Sequence, residues 1–219
     1  VFVGSPRPVS TNLKLAKALE TLANGKLSFD YVDIASLPFY DDSLWNDPPA
    51  AVIRLKQRIE AADAVLFVTP EYNRSIPGIL KNAIDWPSRP YGDSVWYGKP
   101  AAIVGASPGA TGTAAAQAHL RSILPMIGTV LMGTPEVYLS AKPGLFDDDG
   151  NITDDRTRTH LANWTTRFLE LIVNYCCPLC HSMGDRLHLR QVQKFPCSSS
   201  SIAMGLKLNA FFYFKCSYR

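Results

Sequence analysis

Apolar residues fall along the first 172 positions as short runs alternating with helical stripes. Residues 1–4 open with Val1-Phe2-Val3 and read as a strand. Over residues 13–22, Leu15, Ala18, Leu19 and Leu22 share one face at helical spacing. Residues 27–33 alternate through Leu27, Phe29 and Tyr31, as a strand with one buried face does. Val52, Ile53, Lys56 and Ile59 mark a second helix. "AVLFVT" (64–69) and "AAIVGA" (101–106) are continuous apolar runs, the pattern of strands buried on both faces. Between them, "SIPGILKNAIDW" predicts a helix with Pro77 near its first turn, where a missing N–H costs nothing. Residues 113–124 read as a fourth helix. Residues 129–132, with a possible extension to Val137-Tyr138, read as a fifth strand, and residues 153–172 as a last helix with a Thr/Asp capping start. Five alternations of strand and helix predict an α/β fold, a doubly wound five-stranded parallel sheet with helices on both faces.

In such sheets ligands sit at the carboxyl ends of the strands, where strand order reverses. Special loops are therefore expected after the first, third and fourth strands. The first, "GSPRPVSTN" (4–12), brings Ser5, Ser10, Thr11 and Asn12 as short hydrogen-bonding groups and Arg7 as a cation. It ends at a helix N-terminus, whose free N–H groups and dipole favour an anion such as a terminal phosphate. It is neither a Walker loop nor a G-x-G-x-x-G fingerprint, and a helix start with redundant caps explains it about as well. The second, "TPEYNRSIPG" (69–78), offers Glu71, Tyr72, Asn73 and Ser75, a flat face and an amide suited to a heteroaromatic ring. The plainer reading is a connection bounded by prolines. The third, "GASPGATGT" (105–113), has three glycines that let backbone approach a ligand, or that merely turn the chain. Together the loops describe a phosphate pocket beside a slot for a flat ring, the shape of FMN.

These residues carry a resemblance. GS-x-R-x-x-S-x-N after the first strand, "TPEYNRSIPGILKNAIDW" after the third and "GKPAAIVGASPGATGTAAAQAHLRSIL" around the fourth resemble the NADPH-dependent FMN reductase family, over roughly residues 1–172. The family includes bacterial chromate and quinone reductases and plant NAD(P)H:quinone reductases. The resemblance implies a flavodoxin-like sheet of order 2-1-3-4-5. It implies that Ser5, Arg7, Ser10 and Asn12 hold the FMN phosphate, with Thr11 beside them among the cofactor-binding residues, that Pro70, Glu71, Tyr72 and Asn73 line the isoalloxazine with Ser75 near the same loop, and that Ser107 and Gly109 border the ring. Hydride would pass from NADPH or NADH to flavin N5, then by ping-pong kinetics to a small-molecule acceptor (a quinone, free flavin, an azo dye or chromate). No catalytic side chain is required. A homodimer or homotetramer is expected by the same analogy. Two departures stand out: Thr113 replaces an expected glycine and Pro108 stiffens the third loop, and either would narrow the ring slot.

Composition sharpens the boundaries. From Tyr175 onward there are six Lys/Arg and one acid, leaving 16 and 18 for residues 1–174, so a near-neutral body precedes a basic tail. The body has no basic stripe to meet nucleic acid, and no apolar run approaches the roughly 18–20 residues of a membrane helix. All five cysteines (Cys176, Cys177, Cys180, Cys197, Cys216) lie in the tail, which predicts a reducing, cytoplasmic setting for the body. The chain is read as an FMN-binding domain at 1–174 and an atypical tail at 175–219, expected to be poorly ordered, with an aggregation-prone "AFFYF" and no zinc. The first residues are not expected to be a signal peptide, and the absence of a methionine predicts a start inside the first strand. His119 and Trp86 read as packing or interface residues, and the acidic run at 147–151 as a solvated turn rather than a calcium loop. A non-enzymatic flavodoxin-type electron carrier and a flavin-free interaction scaffold are the competing functions.

Overall fold

The computed structural model describes residues 1–147 and 150–176; the basic, cysteine-bearing tail and its "AFFYF" stretch lie outside the described residues from position 177 on. Strands β1 (Phe2–Val3), β2 (Val65–Val68), β3 (Pro100–Ser107) and β4 (Val130–Leu131) pair in that order, all parallel, and β5 (Tyr138–Ser140) pairs parallel with the far half of β3. The adjacencies expected of the first, third, fourth and fifth strands are thus present. The fifth strand expected at 129–132, with its extension to Val137-Tyr138, is two: β4 follows Pro100–Ala101, and β5 follows Gly105 to Ser107 after a break at 132–137.

The expected second strand at 27–33 is not a strand, so the order 2-1-3-4-5 is corrected at its first place. Residues 30–32 do run beside the sheet, but among the described residues their backbone bonds to a strand run are those with Val1: its terminal amine donates to the Asp30 carbonyl at 2.7 Å, and the Val32 N–H donates to the Val1 carbonyl at 3.0 Å. One residue does not make a ladder. Beyond it the Asp33 carboxylate accepts from the Ala35 N–H at 3.1 Å and turns the chain into a 3-10 helix at Ile34–Ser36. Arg58 holds the segment instead, bonding the Asp30 carboxylate and, at 2.8 Å, the Tyr31 carbonyl.

Helices α1 (Thr11–Ala23), α2 (Ala50–Ala61), α3 (Gly78–Asp85), α4 (Ala114–Met126) and α5 (Asp155–Cys176) cover both faces. Alternation along the strands sorts the side chains between two cores. Phe2, Phe67 and Ile103 pack with Leu55 of α2, Leu80 of α3, Leu120 of α4 and the fully buried Trp86 and Trp96. Val3, Leu66, Val68, Ala102 and Val104 pack with Leu15 and Leu19 of α1 and Trp164 and Phe168 of α5. Every residue of β2 and all of β3 but its last are buried, as continuous apolar runs require. The helix ends follow local chemistry: Ser10 caps α1, and the Asp154 carboxylate accepts from the Thr157 N–H at 2.7 Å at the start of α5. Among the described residues no helix is long and apolar enough to cross a membrane.

Candidate functional site

Because β1, β2 and β3 are parallel, the loops after them open at one end of the sheet. The ladder continues just past the strands: the Gly4 N–H donates to Val68 O at 2.8 Å and the Thr69 N–H to Val104 O at 3.0 Å. Beyond these bonds the three loops diverge, and side chains take over the joining.

In the first loop, Pro6, Arg7, Pro8 and Val9 are exposed while Ser5, Ser10 and Asn12 are buried. Ser10 Oγ accepts from the N–H groups of Asn12 (3.2 Å) and Leu13 (3.4 Å), so it starts α1. Asn12 reaches across to β3, its Nδ2 donating to Ala106 O and its Oδ1 accepting from Ala106 N, both at 2.9 Å. Two groups remain. Ser5 Oγ is buried without a hydrogen-bond partner, and the exposed Arg7 forms no ion pair among the described residues. Thr11 is half-buried at the first position of α1.

In the second loop, Pro70 is buried and its carbonyl accepts from Thr69 Oγ1 at 2.7 Å. Tyr72 and Ser75 exchange both backbone hydrogen bonds, at 3.0 and 2.9 Å, closing a two-residue hairpin over Asn73 and Arg74. Both central residues have positive φ, 50° and 63°, the conformation such a tight turn requires. Tyr72, Asn73 and Arg74 are exposed on the crest. Glu71 turns the other way: its Oε2 accepts from the N–H groups of Ala115 (3.0 Å) and Ala116 (3.2 Å) and so caps α4, which lacks a cap from its own Thr113. Ser75 Oγ and His119 Nδ1 lie 2.9 Å apart.

The third loop has an exposed crest, 108–111, rising from half-buried Ser107. Gly109 is open, with only Ser107 Oγ at 3.8 Å from where a Cβ would stand. Gly105 is not: a Cβ there would lie 2.2 Å from Thr113 Oγ1 and 2.4 Å from Thr69 O, so only glycine lets the second and third loops cross here. Thr113 is fully buried at φ 73°, and its Oγ1 accepts from Gln117 Nε2 at 3.0 Å. It supports the loop from beneath and does not face the ring slot.

The structure therefore brings all twelve expected residues to one end of the sheet, and eight of them fall into two sets. Asn12, Ser10 and Glu71 bond to backbone and hold the loops. The side chains of Ser5, Arg7, Tyr72 and Asn73 are left with no polar partner among the described residues, and Gly109 is open. A buried hydroxyl without a partner and a cation with no ion pair among the described residues, two positions apart before a helix N-terminus, fit a phosphate monoester. A phosphate there satisfies what the fold leaves open, so the donor set fits FMN. A separate cavity of about 400 Å³, bordered by Val1, Leu27, Phe29, Arg58, Ala64 and Phe168, includes no residue of the three loops.

Pattern reading missed two connections. His119, read as a packing residue, is exposed and bonded to the second loop; nothing in its spacing on α4 signals this. Asn12, read as a ligand group, is a clamp; its place on the buried stripe of α1 with Leu15, Ala16 and Leu19 is the signal that finds it.

Comparison with known proteins places this geometry. Residues 1–144 match the family described as NADPH-dependent FMN reductase. A 2-hydroxy-1,4-benzoquinone reductase of a Burkholderia species is 49% identical over 168 residues, covering 77% of this chain and 92% of the relative. A quinone reductase of Pseudomonas putida is 47% identical over 169 residues, covering 77% and 90%. Among solved structures, the flavoenzyme NAD(P)H:(acceptor) oxidoreductase FerB of Paracoccus denitrificans superposes with a TM-score of 0.77 at 49% identity, covering 80% of this chain and 96% of that one. The parallel α/β sheet and the matches over most of its length agree: this chain belongs to the NADPH-dependent FMN reductase family.

Proposed function

We propose that the chain is an FMN-dependent NAD(P)H oxidoreductase that reduces a small-molecule acceptor, with quinones the favoured class. The observation that carries the reading is the pair left open in the first loop, buried Ser5 Oγ and unpaired Arg7, beside the N-terminus of α1. Family membership and the quinone reductases among the relatives support it. Ser5, Arg7 and Thr11 hold the phosphate, with Arg7 supplying charge and Ser5 a buried hydrogen bond. Ser10 and Asn12 frame that cradle from behind. Pro70, Tyr72, Asn73, Ser107 and Gly109 border the ring, and Glu71 fixes the loop on which three of them stand. Bound FMN supplies the redox chemistry, accepting hydride from NAD(P)H and delivering it to the acceptor. Tyr72, Asn73 and Gly109 are exposed where a ring would lie, so NAD(P)H and acceptor would reach it in turn, and ping-pong kinetics are the expected pattern.

Assembly of identical subunits is part of this reading. Phe39, Tyr91, Tyr97 and Met126 are each more than 80% exposed and offer apolar area for a second copy to cover. A cytoplasmic setting also belongs to it.

An absorbance spectrum of the purified protein, with FMN supplied, tests the function. Bound flavin that bleaches on anaerobic addition of NADPH and recovers its colour with benzoquinone is the expected result. A protein that neither retains nor takes up flavin refutes the reading.

A further inference from the structure

The Tyr72–Ser75 hairpin is tied to α4 at two points. Glu71 Oε2 accepts from the Ala115 and Ala116 N–H groups at the helix start, and Ser75 Oγ meets His119 Nδ1 at 2.9 Å. Ala115 and His119 are four positions apart, one turn along the same face. The two ties bracket the hairpin, one on each side of its crest. A single tie leaves a loop free to pivot; a second, one turn away, fixes its tilt. The hairpin has little else to hold it: Tyr72, Asn73 and Arg74 are exposed, both central residues sit at positive φ, and the Arg74 guanidinium reaches Glu71 only at 4.0 Å with 77% of its side chain exposed. Within the hairpin the backbone bonds are only those between Tyr72 and Ser75.

We propose that His119 is a positioning residue for the acceptor site: by holding Ser75 it sets the tilt of the Tyr72-Asn73 edge against which a flat acceptor stacks. This rests on the flavin reading above. The contact is a side-chain pair, outside the FMN phosphate cradle, so it acts on the acceptor's fit more than on cofactor retention.

Three variants test it in the flavin-loaded protein: His119→Leu, His119→Asn and Ser75→Ala. Asparagine places a polar atom where Nδ1 stands and keeps the bond; leucine does not. In His119→Leu and Ser75→Ala, the KM for benzoquinone should rise about 3- to 10-fold with kcat changed less than 2-fold, the signature of a positioning loss. Hydrogen exchange at the Tyr72 and Ser75 amides should accelerate about tenfold in the same two variants, with or without flavin, as a freed loop requires. In His119→Leu, FMN affinity, read by flavin fluorescence quenching, should stay within about twofold. His119→Asn should restore both readouts, and the double variant His119→Leu/Ser75→Ala should be no worse than either single one. Unchanged exchange and KM in His119→Leu, in a protein that binds FMN normally, would overturn the proposal and leave the flavin reading intact. Failure of the wild-type protein to bind FMN would overturn the flavin reading and the acceptor role together, while the exchange data would still report the tether.

Discussion

Asn12 and Ala106 lie 94 residues apart in sequence and are joined by two hydrogen bonds of 2.9 Å, amide to backbone and backbone to amide. Alternate residues of a strand offer their N–H and C=O to opposite neighbours. Gly105 and Ser107 face β5, so Ala106 faces the β2 side, where the chain has already left the sheet after Thr69. The primary amide of Asn12 stands in for the missing peptide. Asn12→Leu removes both bonds and leaves the Ala106 groups buried and unpaired, which should cost about 2–4 kcal/mol. Asn12→Asp should be no milder, because it sets a carboxylate oxygen against Ala106 O. Urea denaturation of the three proteins measures this, and a loss under about 1 kcal/mol in Asn12→Leu would contradict it.

Ser5 and Arg7 should separate folding from binding. Ser5 Oγ has no partner in the described structure, so Ser5→Ala removes an unsatisfied buried hydroxyl and should leave the flavin-free protein equally stable or stabilise it by up to about 1 kcal/mol. The same change should weaken FMN by about 1 kcal/mol through the lost hydrogen bond. Arg7→Ala touches no ion pair among the described residues, so the fold should not notice it, but FMN affinity should fall by about 1.5–3 kcal/mol, the scale of a charge-assisted hydrogen bond. Titration calorimetry with FMN, alongside thermal melts without it, reads both halves. Equal affinity in Arg7→Ala would remove the residue from the cradle.

The contrast between Ser5 and Asn12 shows how far the site was legible in the sequence. Both are small polar residues in one loop, and pattern alone brings both to a phosphate. What separates them is a contact with a residue far away in the chain, which a local pattern does not contain. Glu71 is the same case: a carboxylate beside an aromatic residue looks like part of a ring site, yet it serves the start of a helix more than forty positions on. The buried strands were legible because "AVLFVT" and "AAIVGA" state burial on both faces outright. At 27–33 the alternation was legible and its meaning was not. Leu27, Phe29 and Tyr31 do pack on the core, but a ladder also needs a partner strand of matching reach, and the backbone of this segment pairs with the sheet at Val1 alone among the described residues.

Acid should expose what holds that segment in place of a ladder. Hydrogen bonds from the Arg58 guanidinium are the main cause that holds the Asp30 carboxyl below its ordinary range. A carboxyl depressed in the folded state adds stability above its unfolded pKa, near 4, and that stability is lost as pH falls through the lower folded value. The pair is 70% and 37% exposed, so it should contribute only about 0.5–1 kcal/mol at neutral pH. Asp30→Asn should therefore be less stable than wild type at pH 7 by that amount, and the gap should close between about pH 4 and pH 2. A gap that persisted at pH 2 would point to packing rather than charge.

Thr113 carries two opposing effects that two substitutions can part. At φ 73° a β-branched residue is strained by roughly 1–2 kcal/mol, a cost glycine does not bear. Its hydroxyl, though, accepts from Gln117 Nε2 inside the protein, where a lost partner costs about 1 kcal/mol or more. Thr113→Ala keeps the strain and loses the bond, so it should destabilise by about 1–2 kcal/mol. Thr113→Gly loses the bond and relieves the strain, so it should fall within about 1 kcal/mol of wild type. Gly105→Ala sets the scale from the other side: its new methyl would stand 2.4 Å from the Thr69 carbonyl, which is backbone and cannot swing away, so the loss should exceed about 2 kcal/mol. Combining Thr113→Gly with Gly105→Ala removes the nearer clash, with Thr113 Oγ1, but not the carbonyl, and should recover only part of that loss. Full recovery in the double variant would mean that Thr113 alone demands the glycine, and that the crossing of the second and third loops is looser than the Thr69–Gly105 approach implies.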